Sequence, residues 1–162
     1  MPFTVGDLGD AKVWIYFITS QVLRPNYDSI IHALADLGIV TRDVGVVIIS
    51  GEEYKEPVEC LKREIGFKEL PCLIITYEPL FDEVLKKKKL KEELKEGKVF
   101  VLEKDIFTER LIRDQERARD FVEGIYNAAK KGNLEGYLRS ERVKSLLGIA
   151  WSQIKDFVRY FE

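Results

Sequence analysis

"EIGFKELPCLII", Glu64 to Ile75, is the stretch on which the reading of this chain turns. Gly66 closes a short helical pattern, and Pro71 opens an apolar run rich in β-branched residues after a four-residue gap. Cys72 to Tyr77 ("CLIITY") is apolar on both faces, the signature of a strand covered on two sides. Upstream, "EPVECLKREIG" supplies the helix, with Pro57 suited to its first turn and Gly66 to its end. The stretch therefore predicts helix, tight connection, buried strand.

Toward the N-terminus the same logic repeats. After a short polar lead, "KVWIYFIT" (Lys12 to Thr19) is a strand with two apolar faces. "YDSIIHALADLG" carries Ile30, Ile31, Leu34 and Leu37 at helical spacing, with Gly38 where a C-terminal cap belongs. "VGVVIIS" (Val44 to Ser50) is a second buried strand. The first half thus reads β-α-β-α-β, and a right-handed crossover makes its first two strands parallel neighbours. Downstream, "PLFDEVLKKKKLKEELKEGK" predicts a charged helix ended by Gly97, and "KVFVLEKD" a fourth strand. A long helical region starts near Thr108 or Asp114, with Ala118, Phe121, Val122, Ile125 and Ala128 as its buried stripe. "KKGN" breaks it. A last helix is expected to carry Val143, Leu146, Leu147, Ala150, Ile154, Phe157, Val158 and Phe161. The chain divides on this reading into a core over 1–105, including an inserted helix near 80–96, and a helical extension over 106–162 packed on it.

The order of elements and the Gly66-x4-Pro71 spacing resemble the thioredoxin-like superfamily, an α/β fold. The resemblance implies that the Leu70–Pro71 peptide bond is cis and faces the loop after the first core strand. Redox members of that family carry Cys-x-x-Cys in this loop, where a helix N-terminus lowers the thiol pKa. Here the loop is "TSQVLRP", and Gln21 and Arg24 fall near the two cysteine positions. Neither side chain forms a mixed disulfide. The resemblance therefore implies a frame without dithiol chemistry, in which Ser20, Gln21, Arg24, Leu70 and Pro71 bind a protein or peptide. A helix N-terminus presents unpaired N–H groups and partial positive charge, which suits a carboxylate or an extended strand. Ordinary capping and surface roles for the same residues remain open.

Sulfur chemistry is left to Cys60 and Cys72. Three readings stay open: two buried thiols acting as small hydrophobes, a Cys60–Cys72 disulfide, or a reactive Cys72 with Cys60 as resolving partner. The last would make the chain a thiol-dependent oxidoreductase or peroxidase. His32, the sole histidine, sits inside the first helix. One histidine and two separated cysteines offer no zinc spacing, and no metal or other cofactor is expected. Gly-rich phosphate loop, nucleophile elbow and histidine triad are all missing from the sequence. "GDLGD" (Gly6 to Asp10) reads as a turn, too short for a calcium loop.

The chain has 26 basic and 28 acidic side chains, a formal net charge of -2 that gives no whole-protein field to draw in nucleic acid. Lys86 to Lys89 form the one concentrated basic run, followed by Glu92, Glu93 and Glu96, the pattern of a solvated helix face. A nucleic-acid adaptor acting through this run is the third functional class, less favoured because aromatics are not interleaved. No segment nears the roughly 18 apolar residues of a membrane span, and the N-terminus lacks a signal-peptide pattern, so a cytoplasmic protein is expected. Asn and Gln, three each, with one Met and one His, against abundant Lys and Glu, match the bias of thermophile proteins. The C-terminal stripe with Trp151 is a candidate homodimer surface as well as a candidate core face.

Overall fold

The computed structural model describes residues 3–5, 11–50, 56, 58–59, 62–63, 66–67, 69–77 and 99–161. They build an α/β fold around a mixed sheet of six strands: β1 (Phe3–Val5), β2 (Val13–Ile18), β3 (Val44–Ile49), β4 (Cys72–Thr76), β5 (Val99–Leu102) and β6 (Val158–Phe161). Their order across the sheet is β1-β3-β2-β4-β5-β6. β2 and β3 are parallel, with Ile15 opposite Val46, while every other adjacent pair is antiparallel.

The period of two along these strands divides the core. Val13, Ile15 and Phe17 of β2, Val44, Val46 and Ile48 of β3 and Leu73 and Ile75 of β4 face one side. Tyr16, Ile18, Val47, Ile49, Cys72, Ile74, Val99 and Val101 face the other, together with Phe67. The first side is covered by helices α1 (Asp28–Val40) and α3 (Gln115–Lys130), with α2 (Glu109–Ile112), α4 (Leu134–Leu138), α5 (Glu141–Leu147) and α6 (Trp151–Ile154) behind them. On the second side the backbone is helical at Glu56, Val58, Glu59, Lys62 and Arg63, and Val58 packs on that cluster. Gly66 follows with φ 84° and donates its N–H to the Lys62 carbonyl, a left-handed helix end of the kind that favours glycine. The Leu70–Pro71 peptide bond is cis.

The expected helical start near Thr108 or Asp114 resolves into two. Thr108 caps α2 by accepting from the Leu111 N–H, and Asp114 caps α3 by accepting from those of Glu116 and Arg117. Ala118, Phe121, Val122, Ile125 and Ala128 are all buried, and the Gly132 turn ends the region after Lys130.

Three expectations need correction. α1 does not stop at Gly38: the Thr41 N–H still reaches the Leu37 carbonyl, so the helix runs to Val40 with Gly38 buried inside it. The last helix is not continuous to Phe161. Gly148 adopts φ 78° and ends α5, whose final carbonyls it helps to satisfy, and the chain returns through α6 into β6. The polar lead, in turn, contains a strand: Phe3–Val5 pairs antiparallel with β3. The helix expected near 80–96, the lysine run at 86–89, the turn at 6–10 and Cys60 lie outside the described residues. No helix among the described residues is long and apolar enough to cross a membrane.

Candidate functional site

The site grows from the C-terminal ends of the two parallel strands. Ile18 ends β2 opposite both Ile49 of β3 and Cys72 of β4, and Leu73 stands opposite Leu102 of β5. Continuing the first two registers by one residue sets Ser50, Thr19 and Pro71 in one row across the end of the sheet, and continuing the third by two brings Lys104 alongside Pro71. The Thr19 N–H donates to the Ile49 carbonyl at 2.8 Å, which holds the first residue of the loop in that row. Crevices beyond the carboxyl ends of parallel strands are where open α/β sheets hold ligands.

Next, the loop folds back on itself. Ser20 Oγ accepts from the Leu23 N–H at 3.2 Å, and the Ser20 carbonyl accepts from the Arg24 N–H at 2.9 Å. These bonds make a tight turn that pushes Gln21 and Val22 outward; Val22 is 86% exposed. A 3-10 turn over Arg24–Tyr27 leads into α1, with Pro25 in its first positions. The Tyr27 ring anchors that turn. It meets Phe17 and Phe107 edge-on, at centroid distances of 6.3 and 6.2 Å, and Phe17 and Phe107 close the trio at 5.6 Å.

Arg24 reaches sideways, its Nη1 donating to Ser50 Oγ at 2.9 Å. The guanidinium has five N–H donors, so this bond orients the group and leaves donors directed outward. On the other side of the row, Lys104 Nζ lies 3.5 Å from Glu69 Oε2, a solvent-exposed pair beside Leu70. Thr19 itself is only 4% exposed, and its Oγ1 has no hydrogen-bond partner among the described residues. A buried hydroxyl left in that condition costs about 1–3 kcal/mol, carried here by the fold at the centre of the row.

Ser20, Gln21, Arg24, Leu70 and Pro71 are thus gathered at one end of the sheet. Cys72 is adjacent in sequence but differs in placement. Its side chain is 0% exposed and belongs to the cluster of Ile18, Ile74 and Phe67 on the opposite side from α1. His32 lies exposed on α1, away from the row. Among the described residues, no three of His, Cys, Asp and Glu come together as metal ligands. Reasoning from the sequence missed Ser50, Val22 and the Glu69–Lys104 pair. Val22 had a weak signal, an apolar pair with Leu23 inside the loop, of which only Leu23 packs on the core. Ser50 had none, because only the parallel pairing of β2 and β3 brings it to Arg24.

Comparison with known proteins finds no matching family model, no matching curated protein and no matching solved structure.

Proposed function

We propose that the chain is a redox-inactive, thioredoxin-like module that binds a protein or peptide at the Thr19–Arg24 loop and the Leu70–Pro71 edge. The observation that carries this reading is the contrast at one sheet end. The exposed elements there include an apolar tip, Val22, and a cation oriented by Ser50, while the neighbouring thiol of Cys72 is buried in the core. The parallel pairing of β2 and β3, expected from the β-α-β-α-β order that carries the resemblance, supports the fold name. An extended segment suits the site: an apolar side chain against Val22, a carboxylate or carbonyl on Arg24, and main-chain contacts beside Leu70.

Chemistry at Cys72 fits the same placement poorly. A reactive thiol has to form a thiolate within reach of its substrate, and burial among Ile18, Ile74 and Phe67 opposes both requirements. Panning a displayed random-peptide library against the protein tests the proposal. Peptides are expected that bind the wild type and lose at least tenfold in affinity to Val22→Glu, which changes an exposed side chain and leaves the melting temperature alone. Insulin reduction or peroxide consumption abolished by Cys72→Ser would replace this reading with the thiol enzyme.

A further inference from the structure

Apart from Val22, two large apolar side chains are mostly exposed among the described residues: Ile39 at 75% and Val40 at 81%. They stand together at the end of α1, far along the helix from the Thr19–Arg24 loop. Both rim a groove of about 440 Å³ between α1 and α3, whose other walls include Asp36, Leu37, Arg119 and Glu123. Exposed apolar side chains rimmed by polar residues beside a concave surface are where interaction sites are sought.

The charges around the groove indicate which partner. Elsewhere on the helical layer four arginines pair with carboxylates, Arg113 with Glu109, Arg117 with Asp114, Arg139 with Glu135 and Arg142 with Asp120, and Arg110 donates to the Ser145 carbonyl. Arg119 and Glu123 lie one turn apart on the exposed face of α3, where i,i+4 partners can meet. Yet neither of them, nor Asp36 across the groove, makes an ion pair with any described residue. The surface therefore offers apolar contact flanked by one unpaired cation and unpaired carboxylates. Such a surface is complementary to itself.

We propose that the α1–α3 groove is the interface of a homodimer. A twofold axis crossing α3 between Arg119 and Glu123 reverses the helix of the second protomer. Arg119 then faces Glu123 of the partner subunit, and the reciprocal contact forms by symmetry. Ile39 and Val40 of each protomer close over the groove of the other, and the two-helix layers stack. This interface lies away from the peptide-binding row, so each protomer keeps its loop open, and it uses α1 and α3 rather than the C-terminal stripe.

Sedimentation equilibrium of the full chain tests the arrangement, with melting temperatures confirming that each variant is folded. The wild type is expected to dimerise reversibly. Arg119→Glu and Glu123→Arg should each weaken the dimer at least about tenfold, because like charges then face each other twice. A one-to-one mixture of these two variants should recover dimers, since both reciprocal contacts again join opposite charges. Ile39→Ser with Val40→Ser should leave a folded monomer. A wild type that stays monomeric at every concentration overturns the proposal. So do charge variants that dimerise like the wild type, or a mixture that fails to restore association.

Discussion

Gly124 is where α3 admits the ring of Tyr137 against its own backbone. A Cβ built there would stand 2.0 Å from the Tyr137 hydroxyl oxygen and 2.2 Å from the ring carbon that bears it. The ring has little freedom to retreat, because it stacks on Phe121 at a centroid distance of 6.5 Å. Burial pushes the Tyr137 hydroxyl far above the usual tyrosine range, so it stays neutral, and it points at the Phe121 carbonyl. Two effects compete in Gly124→Ala. Alanine gains about 1 kcal/mol of helix propensity, while overpacking costs about 1–3 kcal/mol. The contact is too short for the first to win, so urea denaturation should show a net loss of up to about 2 kcal/mol. In a Tyr137→Leu background the same change should become neutral or stabilising. A wild-type protein stabilised by Gly124→Ala would show that the ring moves freely.

At the scale of elements, the far end of α3 is fastened to the sheet. Tyr126 donates its hydroxyl to Asp43, which precedes β3, and Lys130 Nζ lies 2.9 Å from the other Asp43 oxygen. The Tyr77 hydroxyl, just after β4, donates to the Ala129 carbonyl at 2.7 Å. The Tyr126 hydroxyl and then the Lys130 ammonium hold the Asp43 carboxyl below its ordinary value of 3.8. A folded-state pKa below the unfolded one means stability that is present above the unfolded value and is lost as pH falls through the folded one. Asp43→Asn should therefore lower the melting temperature at pH 7, and the difference from wild type should shrink to nothing well below pH 3.8, where both side chains are neutral. A gap that persists undiminished in acid would mean that the carboxylate's charge is not what fastens α3.

How much of this was legible in the sequence differs by element, for physical reasons. The strands β2, β3 and β4 stood out because sheets covered on both faces need unbroken apolar runs. The caps at Thr108 and Asp114 and the left-handed Gly66 and Gly132 were readable because each rests on local chemistry. Gly38 misled, since a buried glycine within a helix and a capping glycine look alike until the next turn's hydrogen bonds are known. The C-terminal segment misled more: Val143 to Phe161 keeps helical spacing, and only the φ of Gly148 reveals the break that frees Val158–Phe161 to pair with β5. β1 was too short to carry a period. At the site, Ser20, Arg24 and Pro71 could be gathered by resemblance, whereas Ser50 and Lys104 arrive through strand register alone.

At the scale of the whole molecule, α1 and α3 lie on one face of a mixed sheet, and among the described residues the large exposed apolar side chains stand at the two ends of α1. Val22 marks the end where the parallel strands finish; Ile39 and Val40 mark the other. Core residues from β2, α1, α3, α5 and α6 join in one cluster, so the helical region after β5 is part of the same body as the sheet's first face. Val143, Leu146, Leu147 and Ile154 of the C-terminal stripe are buried there, and Arg139 lies over Trp151 at 4.9 Å. The loop at the sheet end is thereby mounted on a rigid base, with Tyr27 wedged against Phe17 and Phe107, while its tip stays open. The most direct test of a binding role for that tip is amide chemical-shift mapping of the labelled protein with a library-selected peptide. The account predicts perturbations concentrated over Thr19–Arg24, Ser50 and Glu69–Cys72. Shifts confined to other surfaces, with the Thr19–Arg24 amides unmoved at saturation, would contradict it.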